Sequence, residues 1–271
     1  MAKVVCMPER DRHQQNKDEA TRLILLGMTG GGKSSLGNTL LGYRQFLAEG
    51  SPISVTEYCQ VGYRNFNGRH LVIVDTPGFF DNKDKDKRET YIKIGQSLQT
   101  TVPGPHAFLI VLPFLRITEE IKKGWEWISD IFDKEVLNYC IIVFTGLDNL
   151  IADDSTVDGY LRKKIPELTE LMEKCGNRYI AFNNRASVKE KDSKIQELFD
   201  LIDMLKEINE NEVFTNTEIK EIDSVVPEET RKDVLRPRSA GENIVLLPQV
   251  EKIVVEAYMR KPAIRKDMHN L

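Results

Sequence analysis

A glycine-rich segment near the start of the chain has the residue types and spacing that hold a phosphate group. Residues 27–34 read Gly-Met-Thr-Gly-Gly-Gly-Lys-Ser and match the pattern G-x-x-x-x-G-K-[ST]. Glycines let backbone N–H groups converge on phosphate oxygens, Lys33 can reach the terminal phosphates, and Ser34 offers a hydroxyl to Mg²⁺. An ordinary glycine-rich turn does not explain a Lys-Ser pair in this register. We therefore expect a phosphate-binding loop that comprises Gly27, Met28, Thr29, Gly30, Gly31, Gly32, Lys33, Ser34 and Ser35.

A second motif, Asp75-Thr76-Pro77-Gly78, directly follows the four apolar residues 71–74. Such a run predicts a buried strand, and ligands of open α/β sheets bind at the carboxyl ends of strands. Asp75 is therefore expected to hold Mg²⁺, usually through water, and the Gly78 N–H to meet a γ-phosphate. An isolated Asp-Thr-Pro-Gly is as often a surface turn. Its place after the phosphate loop favours the metal site.

Thr56 is a weaker metal candidate, in the loop between the two stronger motifs. A threonine in that loop can bind Mg²⁺ while a γ-phosphate is present and release it afterwards. Loops contain many threonines, so the position of Thr56 supplies most of the argument.

The segment Thr145-Gly146-Leu147-Asp148 is the candidate reader of a base. The Asp148 carboxylate can accept hydrogen bonds from the N1–H and N2–H₂ groups of guanine, a donor pair that adenine lacks. Many guanine-binding proteins carry a lysine where Gly146 stands, and its stem packs on the base. The alternative is that Asp148 only caps the following segment. Asn183-Asn184 could complete the pocket, although Asn-Asn is by itself a turn signal.

Composition restricts the class of protein that carries these motifs. The chain has 271 residues, 41% of them hydrophobic and 30% charged, which is ordinary for a globular protein. A net charge of −4 argues against nucleic-acid binding by bulk electrostatics. The four cysteines are scattered without metal-ligand spacing, which is typical of reduced thiols. No signal peptide, lipidation motif or transmembrane segment is visible, so we expect a cytoplasmic protein for which only peripheral membrane contact stays open.

Alternating apolar runs and amphipathic segments predict the elements that position the motifs. Buried strands are expected at residues 21–26, 107–112, 139–145 and 179–182, and a hairpin at 59–66 and 70–75 around Asn67-Gly68. Helices are expected at 33–41, 88–99, 117–132, 157–175 with a break at Pro166, and 195–209. This alternation predicts a mostly parallel six-stranded α/β sheet with helices on both faces.

The predicted domain occupies residues 21–212, after a flexible lead-in at 1–20. Residues 213–271 show no clear alternation of strands and helices. We predict a partly helical or irregular extension docked on the surface, with one short amphipathic helix at 250–259.

These features, in this order, resemble the immune-associated nucleotide-binding (IAN or GIMAP) GTPases with their AIG-type G domain. The resemblance covers about residues 21–210 and extends beyond the nucleotide motifs. It includes residues 35–38 (Ser-Leu-Gly-Asn), Ser54-Val55-Thr56 with Cys59, residues 78–81, residues 103–107 (Pro-Gly-Pro-His-Ala) through 116–120 (Arg-Ile-Thr-Glu-Glu), residues 175–178 and residues 181–186.

The resemblance implies a Ras-like P-loop G domain that binds GTP or GDP with Mg²⁺. It implies nucleotide contacts from Ala48, Gly146, Leu147 and Asn184 in addition to the motif residues, with Asn184 as the second base-pocket residue. Small GTPases orient the attacking water with a glutamine where this chain has Phe79. Catalysis is therefore assigned to Lys33 and to Arg116, which in the family can reach a partner's nucleotide. The alternative is that Arg116 only precedes a helix cap in solvent.

Two functions follow from these residues. The first is a GTP/GDP-binding switch with slow intrinsic hydrolysis, stimulated when two G domains pair as a homodimer or oligomer. The alternative is a nucleotide-gated scaffold that assembles on GTP binding with negligible turnover. A nucleotide kinase or ATPase is disfavoured by Asp148 and by the Pro77-Gly78 turn.

Overall fold

The computed structural model describes residues 20–48, 58–78, 87–114, 128–129, 131–162, 165–234 and 238–260. Within these ranges, strands and helices alternate from residue 21 to residue 208, as predicted. The strands are β1 (Thr21–Gly27), β2 (Gln60–Phe66), β3 (Arg69–Asp75), β4 (Ala107–Pro113), β5 (Cys140–Thr145) and β6 (Tyr179–Phe182). The helices are α1 (Lys33–Leu41), α2 (Lys87–Thr101), α3 (Leu147–Ala152), α4 (Val157–Leu161), α5 (Pro166–Lys174), α6 (Val188–Ile208), α7 (Thr217–Val225), α8 (Glu228–Asp233) and α9 (Pro248–Arg260), with a 3₁₀ helix at Lys134–Tyr139.

The six strands form one sheet in the order β2-β3-β1-β4-β5-β6. Every neighbouring pair is parallel except the hairpin β2–β3. The hairpin turns at Asn67 and Gly68, whose φ angles of 50° and 82° are those of the turn that the Asn-Gly pair predicts. The predicted α/β sheet is confirmed, and the carboxyl ends of its parallel strands share one edge.

Helices cover both faces of the sheet and bury alternate residues of each strand. On one face, α1 and α6 pack against a cluster that includes Leu23, Leu25 and Leu109. On the other face, α2, α4, α5, α7 and α9 pack against a cluster that includes Ile24 and Phe108. A strand covered on both sides must be apolar throughout, which explains the continuous apolar runs of β1, β4 and β5.

Two helix predictions need comment. The predicted break at Pro166 is confirmed, because α4 ends at Leu161 and α5 begins at Pro166. The predicted start of the long helix at residue 195 is wrong, since α6 begins at Val188. Its first turns are charged and have no apolar face, and a capping box formed by Ser187 and Glu190 starts them instead. Most of the predicted helix at 117–132 lies outside the described residues; residues 128–129 and 131–132 are helical.

The C-terminal segment contains more regular structure than its sequence predicts. The helix expected at 250–259 is confirmed as α9, and α7 and α8 precede it. The buried side chains of this segment, among them Phe214, Ile219 and Val254, belong to the same cluster as the α2 face of the sheet. The sequence gives little sign of this packing because the apolar residues of the segment follow no sustained strand or helix period before residue 250. The predicted domain boundary at residue 212 stays a prediction.

Residues 238–247 run along the surface of the α/β domain between α1 and α2. Gly241 N–H donates to Gln45 O at 2.9 Å, and Ile244 N–H donates to Cys59 O at 3.2 Å. Asn243 forms an antiparallel bridge with Gln60. Across the described ranges, no helix combines the length and the hydropathy needed to cross a bilayer.

Candidate nucleotide-binding site

The glycine-rich loop lies between the end of β1 and the start of α1, where the phosphate-binding mechanism requires it. Gly30 and Gly32 have φ angles of +70° and +94°, which side chains rarely adopt. Lys33 is buried, and its Nζ donates to Gly27 O at 3.1 Å and to Met28 O at 2.8 Å. The lysine is thus folded over the loop, within reach of any phosphate that the loop binds.

The end of β5 supports this loop from the other side. Thr145 Oγ1 donates to Gly31 O at 2.7 Å. A Cβ added to Gly32 would lie 3.1 Å from the same Thr145 oxygen, so a larger residue would press on the contact. Thr145 therefore links the phosphate loop to the segment that carries the base-reading candidate.

Asp75 and Ser34 form the candidate metal site. Asp75 is fully buried at the end of β3, and its Oδ2 accepts a hydrogen bond of 2.6 Å from Ser34 Oγ. Its Oδ1 is buried and has no hydrogen-bond partner among the described residues. Burial raises the pKa of this carboxyl to about 6, and Lys33 and Ser34 oppose that rise. A buried carboxylate oxygen beside a hydroxyl fits a hard, oxygen-seeking cation such as Mg²⁺.

Gly78 lies directly against the phosphate loop. A Cβ added to Gly78 would lie 2.0 Å from Thr29 Oγ1 and 2.6 Å from the Thr29 backbone nitrogen. Only glycine fits so close an approach. A phosphate bound by the loop would therefore lie close to the backbone of Gly78.

The base-reading candidates meet at the ends of β5 and β6. Asp148 lies in the first turn of α3, and its Oδ2 is 3.4 Å from Arg185 Nη1. Asn184 follows β6, and its Oδ1 accepts a hydrogen bond of 3.0 Å from Thr39 Oγ1 on α1. The threonine thus fixes the orientation of the Asn184 amide.

A cavity of about 730 Å³ connects the phosphate and base regions. The predicted residues that line it are Gly30, Gly31, Gly32, Ser35, Gly146, Asp148 and Asn184. The half-buried Ala48, Leu147 and Gly78 do not line this cavity. Neither do the other described residues predicted for the phosphate and metal sites: Gly27, Met28, Thr29, Lys33, Ser34 and Asp75. The size of the cavity suits a nucleotide-sized ligand.

Three predicted residues lie outside the described part of the chain: Thr56, Phe79 and Arg116. Their assigned roles stay predictions.

Sequence reasoning assigns no role to Thr39, Thr145 or Arg185, although Thr145 stands in the base-reading segment and Arg185 in the stretch 181–186. Thr39 and Thr145 act through contacts across 145 and 114 residues of sequence, which no local pattern can reveal. Arg185 does have a signal, because it directly follows Asn184 in the second base-pocket segment.

Comparison with known proteins places most of the chain in one family. The AIG1 family matches residues 21–233. Immune-associated nucleotide-binding protein 10 of Arabidopsis thaliana is 36% identical over 195 residues, which are 69% of this chain and 41% of that protein. Protein 12 of the same plant is 30% identical over 258 residues, 88% of this chain and 65% of that protein. The chain thus spans less than two thirds of the length of either relative.

A mammalian relative and two solved structures extend the comparison. GTPase IMAP family member 8 of Mus musculus is 30% identical over 190 residues, 69% of this chain and 28% of that protein. A dimerization-deficient mutant of Toc33 from Arabidopsis thaliana superposes with a TM-score of 0.55 at 20% identity, covering 72% of this chain and 87% of that one. Toc33 in complex with Mg²⁺ and GMPPNP superposes with a TM-score of 0.54 at 20% identity, covering 73% of this chain and 89% of that one. These structures share the fold.

Proposed function

The chain belongs to the AIG1 family, the family of the immune-associated nucleotide-binding proteins, and from that premise we propose that it is a Mg²⁺-dependent guanine-nucleotide switch. It binds GTP and GDP, hydrolyses GTP slowly alone, and turns over faster when two G domains pair. The observation that carries the proposal is the meeting of the phosphate loop, Asp75 and Asp148 at one edge of the sheet.

Each part of this edge has a distinct task. Backbone N–H groups of residues 27–34 and the Lys33 ammonium bind the phosphates. Ser34 and Asp75 would hold Mg²⁺, which neutralises phosphate charge when bound. Asp148 accepts from the Watson–Crick edge of guanine, and Asn184, oriented by Thr39, completes the pocket.

The support for guanine and Mg²⁺ is drawn from the site and from relatives. The donor pair on guanine matches a carboxylate at Asp148, and the buried Asp75 Oδ1 fits a hard cation. Toc33, which shares the fold, binds Mg²⁺ and GMPPNP. Two observations support pairing: the arginine at position 116, and the existence of a dimerization-deficient mutant of Toc33, which implies that Toc33 itself dimerizes.

Phe79 favours a second candidate, the nucleotide-gated scaffold. A phenyl ring can neither orient a water molecule nor stabilise charge, so the site lacks the usual water-positioning group. If no partner supplies that function, GTP binding drives assembly without appreciable turnover.

The test of the proposed function is GDP binding by calorimetry in Mg²⁺ and in EDTA. Wild type should bind GDP, and more tightly in Mg²⁺. Lys33→Ala should weaken binding at least about tenfold, because a hydrogen bond to a charged group contributes roughly 1.5–3 kcal/mol. Lys220→Ala, which removes an exposed lysine from α7, is the matched control and should bind as wild type does. Unchanged GDP affinity in a folded Lys33→Ala protein would contradict the proposal.

A further inference from the structure

The candidate base pocket lacks a side chain where many guanine-binding proteins have one. Gly146 begins α3 in the left-handed region with φ +77°, and it lines the cavity beside Asp148. A lysine at this position would pack its stem on the base, but glycine offers only backbone. Because side chains are strained at this φ, the local fold itself favours glycine. One face of a bound base would therefore stay uncovered unless another residue reaches it.

Arg185 is placed to reach that face. Its backbone N–H donates to Asn183 Oδ1 at 2.8 Å, which anchors the main chain at the end of β6. Its guanidinium extends across the pocket mouth to within 3.4 Å of Asp148 Oδ2. Arg185 and Asp148 both line the cavity. The arginine is thus fixed at its root and aimed at the carboxylate that would read the base.

A purely structural role does not account for this arginine. Its side chain is 84% exposed, and exposed ion pairs contribute little to stability. By contrast, Arg64 on the same cavity wall donates to Leu40 O at 2.8 Å and lies over the Phe66 ring. Arg64 therefore stabilises the fold. Among the described residues, the one ion pair that Arg185 forms is with Asp148.

The surroundings of Arg185 also suit a flat apolar ligand. Val188, in the first turn of α6, is 75% exposed and lines the same cavity. An exposed valine beside an exposed guanidinium forms a surface that a purine ring would cover. A planar guanidinium stacks on aromatic faces better than a lysine ammonium does.

We propose that Arg185 covers one face of the bound guanine in place of the side chain that Gly146 lacks, while it stays paired with Asp148. The pairing is compatible with base reading because a carboxylate has about four lone-pair sites and guanine needs two. Arg185 is then a specificity residue for purine bases in general, and Asp148 selects guanine among them. This inference rests on the proposed function.

The test compares ligands that share only part of GDP. Wild type, Arg185→Ala and Arg185→Lys are titrated with GDP, with inosine diphosphate, which lacks the 2-amino group, and with pyrophosphate. Arg185→Ala should lower the affinity for both nucleoside diphosphates about 2- to 30-fold, which corresponds to the free energy of a cation–π contact. Arg185→Lys should fall between wild type and Arg185→Ala. Pyrophosphate affinity and the ratio of GDP to inosine diphosphate affinity should stay unchanged, because stacking involves neither the phosphates nor the 2-amino group.

Lys189→Ala is the matched control. Lys189 is an exposed cation in the first turn of α6, four residues after Arg185, and does not line the cavity, so its loss should leave GDP affinity unchanged. Wild-type GDP affinity in Arg185→Ala would overturn the inference while leaving the proposed function intact. An equal loss of GDP and pyrophosphate would assign Arg185 to the phosphates instead, and a changed ratio of the two diphosphates would assign it to aligning Asp148. Absence of GDP binding by wild type would overturn the proposed function together with the inference.

Discussion

At the scale of single residues, the choice of base depends on the carboxylate of Asp148. Asp148→Asn replaces one acceptor by an amide donor that opposes the N1–H and N2–H₂ groups of guanine. GDP affinity should fall at least about tenfold, since each hydrogen bond to a charged group contributes roughly 1.5–3 kcal/mol. Xanthosine diphosphate has a C2 carbonyl that can accept a hydrogen bond from the new amide. It should therefore bind Asp148→Asn more tightly than it binds wild type. Competition of the two nucleotides on each protein measures the change.

The control for this substitution is Asp153→Asn, which removes the carboxylate at the other end of the same short helix. Because Asp153 is exposed and does not line the cavity, nucleotide preference should not change. The same preference for GDP over xanthosine diphosphate in wild type and Asp148→Asn would show that Asp148 does not read the base.

A second residue-scale prediction concerns His106, which joins β4 to β1. Its Nδ1 accepts a hydrogen bond from the Arg22 backbone N–H at 3.1 Å, and the His106 backbone N–H donates to Arg22 O at 2.8 Å. Burial, with Arg22 and Lys206 nearby, lowers the pKa of this imidazole from 6.5 to about 2. The folded state therefore holds the neutral form, and the unfolded state takes up a proton first as pH falls. The contribution to stability is complete above pH 6.5 and is lost progressively between pH 6.5 and 2.

Between pH 7.5 and 5.5 this histidine should lower the free energy of unfolding by about 1.4 kcal/mol. Urea unfolding of wild type and His106→Asn at both pH values measures it. The asparagine keeps a hydrogen-bond acceptor in place but cannot titrate. Between pH 7.5 and 5.5, His106→Asn should therefore lose about 1.4 kcal/mol less stability than wild type loses. Equal slopes in wild type and His106→Asn would contradict the assignment.

The residues of the candidate site divide by the range of their contacts. Lys33, Asp75 and Asp148 could be predicted because each stands in a local motif that follows a strand. The contacts of Thr39 and Thr145 could not, because each contact forms only when distant parts of the sequence come together, even though Thr145 stands in the same segment as Asp148. The Gly78 approach to Thr29 also needs the folded sheet, although the glycine itself was expected at the phosphate.

At the scale of elements, α9 docks on α2 through contacts that include a close approach to a glycine. A Cβ added to Gly95 would lie 2.5 Å from Val254 Cγ2, and valine is stiff about χ1. Gly95→Ala should therefore destabilise the fold, because an overpacking cost of about 1–3 kcal/mol exceeds a gain in helix propensity of about 1 kcal/mol or less. In the Val254→Ala background the clash is absent, and the same substitution should become neutral or stabilising. Urea unfolding of the four proteins of this cycle gives the coupling energy.

A coupling of about 1 kcal/mol between the two sites is expected, as for residues in contact. Ile253→Ala is the control partner, because the nearest atoms to a Cβ on Gly95 all belong to Val254. Strict additivity of Gly95→Ala and Val254→Ala would show that this contact does not set the docking of α9.

The elements that could be predicted are those with a periodic pattern. Continuous apolar runs identify the central strands, and Asn67-Gly68 identifies the hairpin. The start of α6 was placed too late because a charged helix end has no apolar face, although its Ser187 and Glu190 capping box was readable. The helices α7 and α8 have too little apolar pattern to be predicted. In α7, two of nine residues are buried, and in α8 none of six is.

At the scale of the whole molecule, the C-terminal segment packs against residues that follow α1, precede β2 and lie on α2. Residues 238–247 contact Gln45 and Cys59, which flank the undescribed segment 49–57 that contains Thr56. The same residues contact α2 through Gln99, which donates to Val245 O at 3.0 Å. Gln45, Cys59 and α2 are thus all tied to the C-terminal part of the chain.

Pairing of whole molecules is the remaining requirement of the proposed catalysis. Phe79 leaves the site without a water-orienting glutamine, so charge stabilisation must be supplied by another group or turnover stays slow. Arg116 follows β4, whose carboxyl end belongs to the nucleotide edge of the sheet. An arginine delivered by a partner can accelerate GTP hydrolysis about 10³–10⁵-fold.

GTP turnover per mole of protein should therefore rise with protein concentration, because pairs form by mass action. Arg116→Ala should abolish most of that rise while GDP affinity stays within about twofold of wild type, since the arginine acts on the partner's nucleotide. Arg116→Lys should recover little, because a point charge does not reproduce the planar fork that contacts phosphate oxygens. Lys220→Ala controls for the loss of one positive charge and should keep the full rise. Measurable turnover that is independent of concentration and equal in wild type and Arg116→Ala would remove the arginine from catalysis. Negligible turnover at every concentration, together with GTP-dependent assembly, would favour the scaffold, in which binding energy drives association and the nucleotide is retained.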